Sequence, residues 1–424
     1  MITFADVYLW GRHAGTVAWD ESRQCGSFEY TESFAADGLE PAPLMMPVQT
    51  HRVYRFPSLS HDTFTGLPGL LADALPDAFG KALLDRWLTS AGRTFANPVE
   101  RLCYQGKRSM GALEFVPAQD NYLEQGTKLE IDALVEVVGE LLYEKMSLNV
   151  NLKETPREAI VNIIRVGTSA GGQRAKAVIA YNPQTGEVRS GQVAAPEGFS
   201  QWLLKLDGVT NAELGDPMHY GQIEYVYYLM AREAGIDMTE CRLLEENGRA
   251  HFMTRRFDRV GENGKLHMQT LCGMAHFDYR MLHAYSYEQA FQVMRRLRLP
   301  YRQAEEMFRR MVFNVIARNQ DDHTKNISFL MNEQGQWTLS PAYDMTWAYN
   351  PSGPWTSKHQ MSVNNKWDGI TRNDLLAVAR NVNIKQAAQI IEQVTEAVSR
   401  WPRLAAEYGI PQNIGKAIAQ TLLL

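Results

Sequence analysis

The chain has 424 residues and a net charge of -5, with 43 basic and 48 acidic side chains. Its length is enough for two or three domains with buried cores, and its negative charge disfavours binding of nucleic acid over the whole surface. It has no signal-peptide pattern and no apolar run of the roughly 20 residues that span a bilayer, so we expect a cytoplasmic protein without membrane contact. The four cysteines form no Cys-x-x-Cys pair and predict neither a zinc site nor a disulfide framework.

The first part of the chain predicts a compact α+β unit that ends near Pro117. Three runs between residues 7 and 30 are rich in aromatic and β-branched residues, as in an antiparallel meander, with the first turn at 11–13. Two short helices are predicted after the turn at 68–69. This unit carries no group of side chains that we can assign to catalysis.

A glycine-rich turn at residues 167–174 precedes a predicted strand at 175–181. Backbone amides in such a turn can approach phosphate oxygens where larger side chains would block them. It is not a Walker A loop, because no Gly-Lys-Ser/Thr follows. A plain hairpin turn is the alternative interpretation, and the neighbouring Ser169, Arg174 and Lys176 favour phosphate binding.

Lys205 lies within an apolar run, residues 201–207, that predicts a strand. An ammonium group in a low-dielectric site must reach solvent or an anion, and in a kinase the nucleotide phosphates are that anion. Glu224, early on a helix predicted over 220–234, is the natural partner of Lys205. The alternative is a lysine that reaches solvent from an edge strand and a glutamate solvated in a first helical turn.

The stretch with the most polar chemistry is the nonapeptide at 318–326, Arg-Asn-Gln-Asp-Asp-His-Thr-Lys-Asn. Apolar residues at helical spacing precede it, a strand-like hairpin over 327–339 follows it, and Asp344 comes after the hairpin. The order helix, Asp-x-x-x-x-Asn loop, hairpin, Asp is that of the catalytic half of protein kinases. The nonapeptide is therefore where we place the active site.

Phosphoryl transfer explains why these residue types occur in this order. Asp321 would accept the proton of the incoming hydroxyl, and Asn326 and Asp344 would hold Mg²⁺ against the nucleotide phosphates. Taken alone, an Asp-x-x-x-x-Asn loop is equally typical of a helix cap or a turn. The hairpin and the second aspartate favour the catalytic interpretation. Spacing to Asn326 favours Asp321 over Asp322 as the base.

Together these stretches resemble the HipA family, the serine/threonine kinase toxins of bacterial toxin–antitoxin pairs. The resemblance covers nearly the whole chain, and its specificity comes from the order and spacing of short motifs. The motifs are Tyr-Leu-Trp-Gly-Arg at 8–12, Pro-Leu-Met-Met-Pro at 43–47, Leu-Pro-Gly-Leu-Leu-Ala-Asp at 67–73, Gly-Thr-Ser-Ala-Gly-Gly-Gln-Arg-Ala-Lys at 167–176, Leu-Lys-Leu at 204–206, Arg-Phe-Asp-Arg at 256–259, Asn-Gln-Asp-Asp-His-Thr-Lys-Asn at 319–326 and Tyr-Asp at 343–344.

The resemblance implies an α+β fold with two lobes, similar to protein kinases, with an extra N-terminal α+β subdomain and a mainly helical C-terminal lobe. We expect the subdomain over residues 1–115. A region similar to the kinase N-lobe, with the glycine-rich loop and the ATP-binding lysine, is expected over 116–260, and the helical lobe with the catalytic loop over 261–424.

The resemblance also implies the cofactors ATP and Mg²⁺ and a role for each site residue. Asp321 would be the catalytic base, and Asn326 and Asp344 would be the metal ligands. Ser169 falls where relatives carry an autophosphorylated serine whose modification ejects the loop and inactivates the kinase. The residues expected to bind ATP are Gly171, Gly172, Gln173, Arg174, Lys176, Lys205, Glu224, Arg255, Arg256, Phe257, His323, Lys325 and Tyr343.

Toxins of this family phosphorylate a protein of the translation machinery, in known cases an aminoacyl-tRNA synthetase. They bind a HipB-like helix-turn-helix antitoxin, so we expect DNA to be contacted mainly through that partner. Two alternatives are a small-molecule kinase of the same fold and a non-catalytic partner of a helix-turn-helix repressor. The second would have no need to keep the full set of Lys205, Asp321, Asn326 and Asp344.

Overall fold

The computed structural model describes residues 2–76, 96–118, 176–191, 197–207, 219–246, 248–261 and 264–424, together with the pairs 80–81, 84–85, 88–89 and 92–93. These residues form two compact units. The first comprises Met1–Pro41, Met46–Gly221 and Arg242–Met268, and the second comprises Ala42–Met45, Gln222–Cys241 and Gln269–Leu424. Within the described ranges, no helix is both long and apolar enough to cross a membrane.

A five-stranded antiparallel sheet forms the N-terminal part of the first unit, in the order β4-β3-β2-β1-β5. Its strands are β1 Phe4–Leu9, β2 Arg12–Asp20, β3 Cys25–Tyr30, β4 Val53–Tyr54 and β5 Leu113–Val116. The predicted meander is present, but the first turn is tighter than expected. Trp10 and Gly11 make it with φ of 51° and 76°, so strand β2 begins at Arg12.

Short helices pack on this sheet, and polar caps define where they begin. Thr31 accepts a hydrogen bond from the backbone of α1, and Asn97 accepts one from the backbone of α4. Every residue of α4 is buried, so this helix lies inside the N-terminal part. The helices are α1 Glu32–Ala36, α2 His61–Phe64, α3 Gly69–Ala72 and α4 Pro98–Gln105.

A second five-stranded sheet completes the first unit, in the order β7-β6-β8-β10-β9. Its strands are β6 Lys176–Tyr181, β7 Val188–Ser190, β8 Ser200–Lys205, β9 Cys241–Glu246 and β10 Arg249–Arg255. A small ribbon of β11 Arg259–Val260 and β12 Gly264–Lys265 follows. Strand β8 lies between β6 and β10 and is not an edge strand. Lys205, its last residue, therefore does not reach solvent from the edge of the sheet.

A buried carboxylate joins the N-terminal sheet region to the second sheet inside the first unit. Asp258 accepts hydrogen bonds from Arg256 Nη2 and Arg259 Nη1, both at 2.7 Å, and from Gly111 N at 2.7 Å. Arg259 also donates to the carbonyl oxygens of Ser109 and Gly111, both at 3.0 Å. The Arg-Phe-Asp-Arg motif therefore contributes a charged contact to residues about 150 positions earlier in the chain.

The second unit is mainly helical. Its helices are α5 Tyr220–Glu233, which starts at the unit boundary, α6 Leu271–Ala275, α7 Tyr287–Arg296, α8 Tyr301–Ile316, α9 Arg372–Val382, α10 Ala387–Ser399, α11 Trp401–Glu407 and α12 Gln412–Ala419. Strands β13 His267–Thr270, β15 Ser328–Met331 and β16 Trp337–Leu339 form a sheet in the order β13-β15-β16. Strands β14 Tyr285–Ser286 and β17 Met361–Ser362 pair in parallel.

Helix α8 is the centre of this unit. Its apolar residues recur every three or four positions, and the buried ones include Met307, Phe308, Met311, Val312 and Val315. A row of apolar side chains along one face of a helix excludes water from that face over the whole length of the helix. The end of α8 therefore has a fixed position, and the polar nonapeptide begins there.

We predict that Asp258→Asn lowers the free energy of unfolding by about 3–5 kcal/mol at neutral pH, because two buried guanidinium groups lose their counter-charge. Asp37→Asn is the matched control, since Asp37 pairs with Arg12 at 3.8 Å on the surface and such pairs contribute less than about 1 kcal/mol. Urea unfolding of both variants measures the difference. Equal losses would contradict the role of Asp258.

The pH dependence of this difference gives an independent check. Burial by itself would raise the pKa of Asp258, but Arg256 and Arg259 lower it well below its usual value. The unfolded chain therefore takes up this proton first, near the ordinary pKa of about 4. We expect the stability gap between wild type and Asp258→Asn to be constant from pH 7 to about 5 and to shrink as the pH falls below about 4. A gap that stays constant below pH 4 would contradict the assignment.

Candidate active site

The nonapeptide leaves the end of helix α8 and turns back along the unit. Arg318 has φ of 56°, in the left-handed region, which ends the helical path. Gln320 N then donates to Ala348 O at 3.0 Å, and residues Thr324–Asn326 make one 3₁₀ turn that leads into β15. The predicted order of helix, loop and hairpin is therefore the order found in the second unit.

Neighbouring aspartates in this loop have opposite environments. The Asp321 side chain is 50% exposed, and His323 Nε2 lies 3.8 Å from its Oδ1. The Asp322 side chain is 1% exposed. A carboxylate that must meet an incoming hydroxyl has to be reachable, so the exposed Asp321 is suited to act as a base and the buried Asp322 is not.

Three donors surround the Asp322 carboxylate. Tyr287 Oη and His359 Nδ1 each lie 2.8 Å from Oδ2, and Gln360 N lies 2.8 Å from Oδ1. Burial, followed by the nearby Asp322 charge, raises the pKa of Tyr287 well above its usual value, so its hydroxyl stays protonated and donates. The buried charge is thus compensated by hydrogen bonds rather than by solvent.

The side chains of Asn326 and Asp344 offer the oxygen donors that Mg²⁺ prefers. Asn326 Nδ2 donates to Asp321 O at 2.8 Å, which turns the amide oxygen of Asn326 away from that carbonyl and makes it available as a ligand. Asp344 has φ of 53° and is half-buried after the hairpin, and its carbonyl accepts from Asn319 Nδ2 at 3.3 Å. One amide and one carboxylate fit Mg²⁺, which is usually held by few protein groups plus phosphate oxygens.

Three further loop residues were predicted to bind ATP. His323 has its Nδ1 buried without a hydrogen-bond partner among the described residues, and its ring lies 5.2 Å from that of Tyr279. Lys325 Nζ lies 4.9 Å from the centre of the same Tyr279 ring. The hydroxyl of Tyr343 donates to Lys325 O at 2.6 Å and also contacts Ser328 Oγ, so this side chain fixes the loop to β15.

In the first unit, two lysines face each other across neighbouring strands. Lys176 on β6 is the register partner of Lys205 on β8, so both side chains project from the same face of the sheet. The residues are only 5% and 8% exposed, and Lys205 Nζ lies 5.6 Å from the centre of the Phe252 ring. Two ammonium groups on one face of a sheet are suited to bind an anion.

Comparison with known proteins identifies the family. Residues 5–116 match the HipA N-terminal domain, and residues 168–401, more than half of the chain, match the HipA-like C-terminal domain. The chain belongs to the HipA family. Among solved structures, HipA of Shewanella oneidensis MR-1, in a complex with HipB and operator DNA, superposes with a TM-score of 0.68 at 17% identity, covering 98% of this chain and 94% of that one. The two-lobed, kinase-like α+β fold is thereby confirmed.

A curated relative of this chain is "Putative kinase Y4dM" of Sinorhizobium fredii, which is 26% identical over 216 residues. The match covers 47% of this chain, and the chain spans half the length of that relative. The similarity is thus to a part of each protein.

Several predicted site residues keep the status of predictions. Ser169, Gly171, Gly172, Gln173 and Arg174 lie outside the described residues. Four others are described: Glu224 is buried on α5 in the second unit, Arg255 is exposed at the end of β10, Arg256 donates to Asp258, and Phe257 is half-buried. The guanidinium of Arg256 is 2% exposed and forms a buried ion pair with Asp258. The sequence did not reveal this structural role of the Arg-Phe-Asp-Arg motif.

Sequence reasoning missed the partners of Asp322. Tyr287 and His359 lie 35 and 37 positions away along the chain, and no spacing rule connects them to the nonapeptide. The sequence offered only a weak signal that Tyr287 is buried: it is the first residue of an amphipathic helix and lies on the apolar face of that helix. Asn319 was part of the nonapeptide but received no role.

We predict unequal stability effects for substitution of the two neighbouring aspartates. Asp322→Asn replaces an acceptor by a donor among three buried donors and should lower the free energy of unfolding by about 1.5–3 kcal/mol. Asp321→Asn changes a half-exposed side chain and should stay within about 0.5 kcal/mol. Chemical unfolding of both variants in one buffer measures this. A larger loss for Asp321→Asn would mean that the two roles are reversed.

Proposed function

We propose that the protein is an ATP- and Mg²⁺-dependent serine/threonine protein kinase that acts as the toxin of a toxin–antitoxin pair. The observation that carries the proposal is the contrast within the loop: Asp322 is buried and hydrogen-bonded, while Asp321 is exposed, five positions before Asn326. Family membership and the order helix, loop, hairpin, Asp344 support the same chemistry. In this proposal, residues 1–115 are the N-terminal subdomain, 116–260 the nucleotide-binding region and 261–424 the catalytic lobe.

Asp321 would take the proton of a serine or threonine hydroxyl. The hydroxyl oxygen then forms a bond to the γ-phosphorus of ATP, the bond from that phosphorus to the β,γ-bridging oxygen breaks, and ADP leaves with the electron pair. The Asn326 hydrogen bond to Asp321 O supports this role, because it fixes the backbone that carries the base. A base held in this way loses little entropy when it meets the hydroxyl.

Each unit contains residues suited to bind phosphate. Lys176 and Lys205 supply positive charge on one face of the first unit's sheet, and the buried Nδ1 of His323 is a further group for an anion. Asn326 and Asp344 would hold Mg²⁺, which neutralises charge on the phosphates when it is bound. The other proposed ATP-site residues are Glu224, Arg255, Arg256, Phe257, Lys325 and Tyr343, together with Gly171, Gly172, Gln173 and Arg174.

The partners are proposed from the family. The solved Shewanella HipA is in a complex with HipB and operator DNA, which supports a HipB-like helix-turn-helix antitoxin as partner here. The net charge of -5 favours DNA contact mainly through that antitoxin. We propose a protein of the translation machinery, such as an aminoacyl-tRNA synthetase, as the substrate. Phosphate on Ser169 would add about two negative charges to a loop meant for phosphates and so would inhibit the kinase.

Phosphoryl transfer is tested by mass spectrometry of the full chain after incubation with ATP and Mg²⁺. We predict phosphate on Ser169 in the wild type and none in Asp321→Ala, because the variant lacks the base. The variant should unfold at the same temperature as the wild type, since Asp321 is half-exposed. Phosphate on Asp321→Ala at the wild-type level would contradict the assigned base. Transfer to a metabolite with none to protein would favour a small-molecule kinase.

Nucleotide binding is tested separately by calorimetric titration with ATP and Mg²⁺. We predict that Lys205→Met weakens binding about tenfold to hundredfold, because a charge-assisted contact to phosphate is lost. Lys81→Met removes an exposed lysine of the same unit and should leave the affinity unchanged. Equal affinities for the wild type and Lys205→Met would contradict the phosphate role, and no binding by the wild type would favour a non-catalytic partner of a repressor.

A further inference from the structure

A continuous buried hydrogen-bond chain runs beneath the candidate active site. From Asp322, Tyr287 Oη accepts from Asn314 Nδ2 at 2.9 Å, and Asn314 Oδ1 accepts from Asn319 Nδ2 at 2.9 Å. Asn319 Nδ2 also donates to Asp344 O at 3.3 Å. We call the five side chains Tyr287, Asn314, Asn319, Asp322 and His359 the Asp322 network. It joins the residue after Asp321 to the backbone of Asp344.

His359 brings the segment after Asp344 into this network. The His359 backbone N donates to Trp367 O at 2.9 Å, and Met361–Ser362 pairs in parallel with Tyr285–Ser286. Strand β14, Tyr285–Ser286, leads directly into helix α7, whose first residue is Tyr287. The two side-chain donors to Asp322 Oδ2 thus come from two segments that are themselves paired.

The chemistry of His359 is determined by its partner. A carboxylate only accepts hydrogen bonds, so Nδ1 carries the proton that faces Asp322. Nε2 is buried and has no hydrogen-bond partner within the described ranges. Among the described residues, the His359 imidazole therefore makes one hydrogen bond, from Nδ1 to Asp322, and any effect of this side chain on the loop depends on that bond.

We propose that the Asp322 network positions the catalytic base and the metal ligand relative to each other, with His359 as its key positioning residue. This inference rests on the proposed kinase function. The network is suited to that task because one end is the peptide neighbour of Asp321 and the other end holds the carbonyl of Asp344. None of its side chains touches the reacting atoms in this assignment. A displacement of about 1 Å of the base would slow transfer about a hundredfold.

A pair of substitutions isolates the Nδ1 contact. Asparagine places its amide nitrogen the same number of bonds from the backbone as Nδ1, and glutamine places its own at the distance of Nε2. We predict that His359→Asn transfers phosphate within about threefold of the wild type, while His359→Gln is slowed about tenfold to hundredfold at saturating ATP and Mg²⁺. The affinity for ATP with Mg²⁺ should be the same in both, because no network residue binds phosphate.

A second pair of substitutions tests the network without changing His359, in case the variants at that position do not fold. Tyr287→Phe removes one donor to Asp322, and Tyr30→Phe removes an equally buried hydroxyl that donates to Met46 O at 3.0 Å in the first unit. We predict that Tyr287→Phe slows transfer about tenfold or more at unchanged ATP affinity, and that Tyr30→Phe keeps the wild-type rate. Each variant loses one buried hydrogen bond, so the comparison separates positioning from a general loss of stability.

The rate of phosphate incorporation from ATP into the full chain, with calorimetric affinities, measures these effects. Wild-type rates in both His359→Gln and Tyr287→Phe would overturn the inference while leaving the kinase assignment intact. Equal slowing in Tyr30→Phe and Tyr287→Phe would also overturn it, since the effect would then follow stability alone. A wild type that neither binds ATP nor transfers phosphate would instead refute the proposed function on which the inference rests.

Discussion

The buried carboxylate of Asp322 is the interaction on which the candidate active site depends. A buried charge is costly unless it is hydrogen-bonded, and here Tyr287, His359 and the backbone of Gln360 provide three donors. These donors come from separate segments, so compensating the charge forces the segments together. The loop around Asp322 is thereby fixed, and its neighbour Asp321 is held at the surface.

The first unit uses the same physical principle at Asp258. Two guanidinium groups and the amide of Gly111 compensate a fully buried carboxylate and join residues about 150 positions apart in sequence. In each unit, a charge that would be unfavourable alone specifies which segments meet. Apolar packing around helix α8 and the sheets stabilises the fold, and these buried carboxylates determine which chain segments lie next to each other.

Much of the fold could be predicted from local patterns. Helical spacing of apolar residues identified helix α8, and a turn between two strand-like runs identified β15 and β16. The nonapeptide stood out for the same reason, since its polar residues interrupt apolar periodicity. The partners of Asp322 and the contact of Asp258 with Gly111 could not be predicted, because they lie 35 to 147 positions away and one sequence contains no record of such pairing. The C-terminal helices show where apolar periodicity alone is not enough, because Asn383, with φ of 62°, ends α9 and separates it from α10.

The central claim is that the loop and hairpin form a phosphoryl-transfer site in which Asp321 is the base. A crystal structure of the protein with Mg²⁺ and a non-hydrolysable ATP analogue tests it most directly. The account predicts Mg²⁺ about 2.1 Å from Asn326 Oδ1 and from a carboxylate oxygen of Asp344, with Asp321 facing the γ-phosphate and Asp322 still bound to His359. A metal bound by neither Asn326 nor Asp344, or a γ-phosphate far from Asp321, would contradict it.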